Sequence, residues 1–380
     1  MRLTTRSSSP EAAFRRRGKA RTTGTKKARL SISPSEPIFG VRSVGRPAVR
    51  VSTGEAEQLA ATAWGIVGSA TELPAEVDQN FRLETTAATY LLKVVPSDED
   101  EQLTDLVTSA LLHVAGRTGA ADVQEVVSSL AGGSVVCFDD SSGLQRRARM
   151  TTFLEGQMLR SVTVDDELRY RMGAALAGLA LALRDFDHPA AGRDLSWDLR
   201  HAGRMRAMLA ELDESERRRS LLACLDAFDA EVVPRLDQLP VQVIHNDLSR
   251  DNTVLGPDGR LGVIDFGDIV RTQRINDVAV AMADHLDPGE GDFISALELA
   301  RGYAAVEPLL AEELELLYEL VHTRIVSRIV GGEWRASRFP ENREYLARNV
   351  DRLWQVFAAL PAKPSAEDSA RLAAIATGGE

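Results

Sequence analysis

The feature that most constrains the fold is a pair of polar motifs, separated by a turn, in the second half of the chain. The first has the pattern His245-x-Asp247-x-x-x-x-Asn252 and follows a short apolar segment. The second is an Asp-Phe-Gly-Asp sequence that begins at Asp265, again after apolar residues. A Pro-Asp-Gly turn lies between the two motifs and predicts a β-hairpin. The pattern therefore predicts a strand, a loop and a hairpin that bring the motifs side by side.

Residues of these types at this spacing suit the transfer of a phosphoryl group. Such a reaction needs phosphates held in place, their charge neutralised by a divalent cation, and an oriented hydroxyl. Asp247 can accept the proton of that hydroxyl or orient it, and is the candidate catalytic residue. The amide oxygen of Asn252 and the carboxylate of Asp265 are candidate Mg²⁺ ligands. His245 by itself is more typical of a loop-stabilising side chain. Either motif alone is common, and the two together predict a phosphotransferase.

A cation for the phosphates is predicted in the first third of the chain. Lys93 lies in the middle of an apolar segment, residues 89–95, that predicts a strand. A lone Lys on a strand is otherwise typical of a solvated sheet edge. The next predicted helix offers Glu101 or Asp105 as the acidic partner of Lys93, and spacing does not choose between them. The turn at residues 76–81 is the candidate for backbone contacts with phosphates.

The order of the predicted elements gives an α+β protein of two lobes. Strand-like segments with one inserted helix occupy residues 41–153 and predict a small β-rich N-terminal lobe that binds the nucleotide. Residues 154–362 are mainly helical and carry the hairpin, which predicts a larger C-terminal catalytic and acceptor-binding lobe. Residues 363–380 are expected to form a C-terminal tail. A chain of 380 residues is long enough for two such cores.

Charge is distributed unevenly along the chain. The net charge is -11 at pH 7, yet residues 1–30 contain ten Lys or Arg and one acid, Glu11. This segment is rich in Ser and Thr and poor in large apolar residues, so residues 1–40 are predicted to be a disordered basic tail. A nucleic-acid-binding arm is the alternative for such a tail. The acidic remainder of the chain argues against nucleic acid as the main partner.

Cysteine content and hydropathy indicate the expected compartment. Cys137 and Cys224 are the two cysteines of the sequence and lack the spacing of a metal site, so neither a disulfide framework nor a zinc site is expected. The sequence has no apolar run of about eighteen residues and no secretory signal pattern. These features predict a cytoplasmic protein that does not contact a membrane.

Taken together, the motifs resemble the aminoglycoside phosphotransferase and choline kinase-like family, most closely its hydroxylysine kinase branch. The similarity also includes Asp-Gln-Asn-Phe at residues 78–81, the hinge-like segment 152–156, Asn-Asp-Val-Ala at 276–279 and Arg-Ile-Val-Ser at 324–327. It spans about residues 45–360, which is nearly all of the chain that we expect to be ordered.

This resemblance implies a two-lobed protein-kinase-like fold in which the nucleotide lies between the lobes. The backbone around Thr152 and Leu154 would hold the nucleotide, and Lys93 would bind its phosphates. The two catalytic motifs would keep the catalytic and Mg²⁺-binding roles that their residue types suggest. Asp277 would be a structural acid that steadies the catalytic loop. Members of the hydroxylysine kinase branch use GTP, so ATP and GTP are both candidate donors.

The resemblance also implies a small acceptor that carries an amine, and an acidic protein body attracts such a cation. We expect 5-hydroxylysine or a related amino alcohol or amino acid. An aminoglycoside, choline or ethanolamine, homoserine and a fructosamine are the alternatives. For an acceptor with a carboxylate, Arg324 or Arg328 is the candidate contact, unless both are solvated helix residues. A nucleotide-binding scaffold without activity would be expected to lack Asp247, Asn252 or Asp265, and all three are present.

Overall fold

A computed structural model describes residues 50–376 of the chain, apart from residues 76–77, 120, 287–292, 341–342 and 345–348. The predicted basic tail, residues 1–40, lies outside the described residues. So does the first part of the turn that we expected to contact phosphates.

Strands dominate the N-terminal part of the described chain, and helices dominate the rest. The strands are β1 (Ser69–Leu73), β2 (Gln79–Glu84), β3 (Thr89–Val95), β4 (Ala121–Val123), β5 (Val126–Val127), β6 (Val136–Asp139), β7 (Gln145–Thr152), β8 (Gln157–Met158), β9 (Val241–Ile244), β10 (Thr253–Leu255), β11 (Leu261–Val263) and β12 (Val270–Gln273). The helices are α1 (Thr53–Trp64), α2 (Glu101–Val114), α3 (Asp166–Leu183), α4 (Met205–Leu209), α5 (Glu216–Glu231), α6 (Val233–Leu236), α7 (Ile275–Asp284), α8 (Phe293–Val306) and α9 (Ala311–Arg338), followed by two C-terminal helices, Val350–Ala359 and Ala366–Ala376. This order agrees with the predicted α+β class.

The N-terminal strands form an antiparallel sheet in the order β1-β2-β3-β7-β5, with β6 also paired to β7. One face of this sheet is apolar, and its Phe81, Leu92 and Met150 are completely buried in a cluster with residues of α1. Side chains alternate between the two faces of a strand, so Lys93 projects from the opposite face. There Lys93 lies within ion-pair distance of Asp265, in the helical lobe.

Helix α2 and strand β4 belong to the core of the helical lobe, although both precede the end of the N-terminal sheet in sequence. Leu106 of α2 is completely buried in one cluster with Leu168 of α3. Strand β4 pairs in parallel with β11, so Ala121 lies opposite Leu261. The predicted limit of the N-terminal lobe at residue 153 therefore does not separate the two cores. The reason is that α2 presents its apolar face to α3 rather than to the sheet.

The predicted hairpin is present, and it forms the middle of a second sheet with β4 and β8 at its edges. Strands β10 and β11 pair antiparallel, with Thr253 opposite Val263. Strand β8 adds to β10, so the chain that leaves β7 at Thr152 passes directly from one sheet to the other. Strand β9 pairs with β12, which the sequence analysis did not predict, and Ile244 lies opposite Val270. These pairings fix the strand ends from which both catalytic motifs start.

The helical lobe is built from pairs of long helices, with α3 packed against α8 and α7 packed against α9. Helix α7 is buried along its whole length. The C-terminal helix Ala366–Ala376 packs on α8 and α9 and buries Leu372 in the lobe core. The segment that we predicted as a tail, residues 363–380, therefore contains a packed helix. The helix is held in place because the side chain of Leu372 is buried in the lobe core.

Candidate active site

The loop after β9 is held by an acid from another element. Asp277, in the first turn of α7, accepts backbone hydrogen bonds from His245 (3.1 Å) and Asn246 (2.6 Å). Asn246 has a left-handed backbone with φ of 65°, which non-glycine residues rarely adopt without such support. His245 is buried, and its Nε2 lies 3.1 Å from the carbonyl oxygen of Ile264. These contacts fix the direction in which the next residue, Asp247, leaves the strand.

Both carboxylate oxygens of Asp247 are hydrogen bonded. Oδ2 accepts a hydrogen bond from Nδ2 of Asn252 (2.7 Å), and Oδ1 accepts one from Nη2 of Arg324 on α9 (3.2 Å). Burial raises the pKa of Asp247 to about 6, although the guanidinium groups of Arg324 and Arg328 act in the opposite direction. A pKa close to neutrality suits a group that takes up a proton during a reaction.

The two predicted metal ligands are joined through the backbone. The N–H of Ile264 donates to the carbonyl oxygen of Asn252 (3.0 Å) and ties the end of the hairpin to the catalytic loop. Asp265 has a left-handed backbone with φ of 62°, and its Oδ1 accepts a hydrogen bond from the N–H of Gly267 (3.2 Å). Because Nδ2 of Asn252 donates to Asp247, its amide oxygen is left for a cation. With the carboxylate of Asp265, it gives oxygen donors of the kind that Mg²⁺ prefers.

Two oxygen-donor side chains would suit a cation that arrives with a nucleotide. Mg²⁺ usually takes one or two protein ligands and completes its shell with water and substrate phosphates. Asn252 and Asp265 match that pattern.

Lys93 reaches this site from the N-terminal sheet, but its acidic partner is not one that we predicted. Its Nζ lies 2.8 Å from Oδ2 of Asp78. Glu101 is exposed, and Asp105 has a side chain that is 68% exposed and lies 3.1 Å from Nε2 of His188. The prediction of an acid from α2 is therefore wrong, because that helix turns these two side chains toward solvent.

Strand alternation is the signal that could have identified Asp78. It lies two residues before Asn80, which pairs in register with Lys93, so all three side chains project from one face of the sheet. A second acid near Lys93 is Asp265, whose Oδ1 lies 3.5 Å from Nζ. The ammonium of Lys93 holds the pKa of Asp265 below its usual range, which keeps this carboxylate charged.

The segment that connects the two sheets, residues 153–156, follows Thr152 at the end of β7. The N–H of Thr152 donates to the carbonyl oxygen of Glu125 (2.9 Å), and its Oγ1 accepts a hydrogen bond from the N–H of Glu125 (2.9 Å). The side chain of Leu154 packs over Gly262 of β11, where an added Cβ would lie 2.7 Å from Cδ1 of Leu154. Thr152 thus ends the N-terminal sheet, and Leu154 lies between that sheet and the hairpin.

A further group of charged residues lies on the helical-lobe side of the catalytic loop. Arg328, one turn after Arg324 on α9, forms an ion pair with Asp284 at the end of α7. Asp268 lies 4.0 Å from Nη2 of Arg193, a long distance for an ion pair. Burial, together with the charges of neighbouring carboxylates, raises the pKa of Asp268 to about 7. Asp268 is therefore an acid that a positively charged ligand would stabilise.

The chain matches a known protein family over more than half of its length. A family profile described as the phosphotransferase enzyme family, APH, matches residues 69–316. The chain belongs to this family.

Several known kinases resemble the chain over most of its length. Hydroxylysine kinase of Mus musculus is 25% identical over 309 residues, which cover 74% of this chain and 82% of that protein. Homoserine kinase of Neisseria meningitidis is 29% identical over 243 residues, which cover 62% of this chain and 73% of that protein. Amicoumacin kinase hAmiN, solved with AMP-PNP, Ca²⁺ and Ami, superimposes with a TM-score of 0.59 at 15% identity, covering 85% of this chain and 92% of that one.

These similarities decide several of the predictions. The predicted family and the two-lobed kinase-like fold are confirmed. The protein is an enzyme, a phosphotransferase with an alcohol group as acceptor, and the coarser prediction of a small-metabolite kinase is also confirmed. Among the described residues, no helix is both long enough and apolar enough to cross a membrane.

Proposed function

We propose that this phosphotransferase moves the terminal phosphoryl group of ATP or GTP to the hydroxyl of a small amino-containing metabolite, with 5-hydroxylysine as the first candidate. The observation that carries the proposal is the setting of Asp247, whose carboxylate is hydrogen bonded to Asn252 and to Arg324. A carboxylate oriented in this way, beside an oxygen-donor pair and a lysine, meets the requirements for transfer to an alcohol. The similarity to a hydroxylysine kinase supports the choice of acceptor.

In the proposed reaction, the hydroxyl oxygen of the acceptor attacks the terminal phosphorus, and the bond from that phosphorus to the nucleoside diphosphate breaks. Asp247 accepts the proton that the hydroxyl loses. Lys93 contacts the phosphates and offsets part of their negative charge. Asn252 and Asp265 would hold Mg²⁺, which neutralises further phosphate charge when it is bound.

The nucleotide base is proposed to lie against the hinge. The N–H of Thr152 donates to Glu125, and its carbonyl oxygen accepts a hydrogen bond from Nε2 of Gln124 (3.4 Å). The candidate contacts are the remaining lone pair of that oxygen and the backbone of Leu154. Adenine and guanine present different donors and acceptors to such a backbone. Both nucleotides are therefore included as donors in the test.

Two side chains match the two charges of an amino acid acceptor. Asp268 would attract the ammonium group, because its ion pair with Nη2 of Arg193 is long, at 4.0 Å. Arg324 is the candidate for the carboxylate, since its Nε is buried and has no hydrogen-bond partner among the described residues. Arg324 contacts Asp247 and Arg328 contacts Asp284, so Arg324 is the arginine that lies beside the candidate catalytic carboxylate. Homoserine carries the same two charges and is the second candidate acceptor, in line with the similarity to a homoserine kinase.

The proposal is tested with a panel of acceptors, each supplied once with ATP and once with GTP. The panel contains 5-hydroxylysine, its decarboxylated analogue 1,5-diaminopentan-2-ol, homoserine, choline, ethanolamine, a fructosamine and an aminoglycoside. Release of nucleoside diphosphate and transfer of label from the terminal phosphate are both measured. We expect 5-hydroxylysine to give the highest kcat/KM, at least about tenfold above the decarboxylated analogue, because a site built for a carboxylate rejects an acceptor that lacks it.

Two other results would change the assignment. Faster turnover of homoserine or of an aminoglycoside would replace 5-hydroxylysine as the acceptor. Nucleotide binding without transfer to any member of the panel would contradict the proposed function and favour a nucleotide-binding scaffold.

A further inference from the structure

Asp78 occupies a position beside Lys93 that no part of the proposed mechanism uses. Its Oδ2 lies 2.8 Å from Nζ of Lys93, and its side chain is only 20% exposed. Asp78 directly precedes β2, and β2 pairs with β3 along its whole length, with Asn80 opposite Lys93. The lysine therefore lies on β3, and the acid lies at the residue before the adjacent strand β2.

Helix α2 does not supply an acid to this lysine. The side chain that α2 presents to the polar face of the sheet is Thr108, whose hydroxyl accepts a hydrogen bond from Nη1 of Arg149 (2.8 Å). Arg149 lies on β7 directly opposite Lys93, and it is buried. An uncharged residue of α2 thus contacts a second cation of the site, while the charge that balances Lys93 comes from the sheet.

Lys93 also lies close to a predicted metal ligand, and this makes the choice of partner important. Its Nζ is 3.5 Å from Oδ1 of Asp265, against 2.8 Å from Asp78. Both carboxylates attract the ammonium, and that of Asp78 lies closer to it. Without the charge of Asp78, Asp265 alone would attract Lys93 at this point, and its carboxylate would be less available to a cation.

We propose that Asp78 is the positioning residue of Lys93 and keeps its ammonium directed at the phosphates of the nucleotide, an inference that rests on the proposed kinase function. Many kinases assemble the corresponding ion pair by moving a helix. Here the lysine lies on β3 and its acid lies immediately before the adjacent strand β2, so the pair depends on strand pairing and not on the position of a helix. Helix α2, packed in the core of the helical lobe, does not have to move for the lysine to be held.

The test compares Asp78→Asn, which keeps the shape and removes the charge, with Asp105→Asn as the matched control on α2. Binding of ADP without metal is measured by calorimetry, and kcat, KM for the nucleotide and the half-saturating Mg²⁺ concentration are measured with the best acceptor. We expect Asp78→Asn to weaken ADP binding and to raise KM for the nucleotide by about tenfold each, the size of one lost charge-assisted contact. The half-saturating Mg²⁺ concentration should also rise, because Lys93 then pairs with Asp265. Asp105→Asn should leave all four quantities unchanged.

A conservative variant guards against loss of folding. Asp78→Glu restores the charge and should retain most of the affinity for ADP. If Asp78→Asn does not fold, the smaller uncharged variant Asp78→Ser takes its place, with the same expected loss and the same contradicting result. Unchanged ADP binding in a folded Asp78→Asn, or a larger loss in Asp105→Asn, would overturn the proposal. The failure of the proposed function is distinguishable, since ADP binding needs no acceptor and no transfer.

Discussion

A buried histidine on α9 links stability to pH. The ring of His322 packs against those of Tyr318 and Phe357, with centroid distances of 6.3 and 4.9 Å. Its Nε2 is buried and has no hydrogen-bond partner among the described residues. Burial lowers the pKa of His322 to about 4, so the ring is neutral in the folded protein at neutral pH.

This histidine should make the protein less stable in mild acid. The unfolded chain binds the proton with a pKa near 6.5 and the folded chain with a pKa of about 4, so stability is lost as pH falls between these two values. Relative to His322→Gln, which does not titrate, the wild type should lose about 2 kcal/mol of unfolding free energy between pH 7 and pH 5. Urea denaturation of both proteins at the two pH values measures this difference. Equal losses for the two proteins would exclude His322 as the cause.

The residues of the site differ in how far the sequence could predict them. Asp247, Asn252 and Asp265 were predicted because their spacing in a short stretch of chain already encodes the loop and the hairpin. The contact of Arg324 with Asp247 depends on where α9 packs, which local sequence does not show. Asp78 was missed for a similar reason, since its role follows from the register of two strands and not from any motif.

At the scale of elements, the packing of α3 on α8 depends on glycine. A Cβ added to Gly173 would fall within clashing distance of the carbonyl oxygen of Leu299, and one added to Gly302 would clash with the carbonyl oxygen of Tyr170. The two helices therefore approach each other more closely than any other residue would allow at these points.

We expect Gly173→Ala to destabilise the protein by about 3 kcal/mol, because either the helices must separate or the backbone must shift. Gly54→Ala in α1 is the matched control, since a Cβ added there has no atom within 4 Å. Alanine is also the better helix former, so the control should be neutral or stabilised by up to about 1 kcal/mol. Thermal denaturation of the three proteins gives the comparison. A Gly173→Ala variant as stable as the control would show that the two helices can separate at little cost.

The helices and strands were predictable where their apolar residues form a recognisable pattern in the sequence. β3 was predicted with its observed limits, Thr89–Val95, because it is a short, mainly apolar segment bounded by polar residues. Helix α7 was missed because Ile275–Asp284 is buried on every side and lacks a polar face. Strand β4, with only three residues, Ala121–Val123, is too short to show a period and depends on its pairing with β11.

For the whole molecule, the main difference from the sequence analysis concerns the division between lobes. The analysis divided the chain at residue 153, whereas packing assigns α2 and β4 to the core of the helical lobe. Sequence order cannot show this, because α2 is amphipathic and its apolar face could have covered either the sheet or α3. This matters for Lys93, the proposed phosphate-binding residue. Its acidic partner, Asp78, comes from beside its own sheet and not from α2.

The two lobes contribute different parts of the proposed reaction. Lys93 and Asp78 come from the N-terminal sheet, and the hinge at Thr152 ends that sheet. Asp247 and Arg324 come from the helical lobe. Among the described residues, their side chains form hydrogen bonds with each other, with Asn252 and with the carbonyl oxygen of Trp197. Nucleotide binding and proton transfer should therefore be separable by single substitutions.

The most direct test of the central claim is the turnover of Asp247→Asn, measured together with its affinity for the nucleotide. We expect kcat to fall by about 10²–10⁴-fold, the usual contribution of a positioned base, while the Kd for ADP changes by no more than about twofold. Asp251→Asn serves as the control, because this neighbouring acid pairs with Arg160 on the surface and should keep its turnover. Near-normal turnover of Asp247→Asn with the best acceptor would contradict the account.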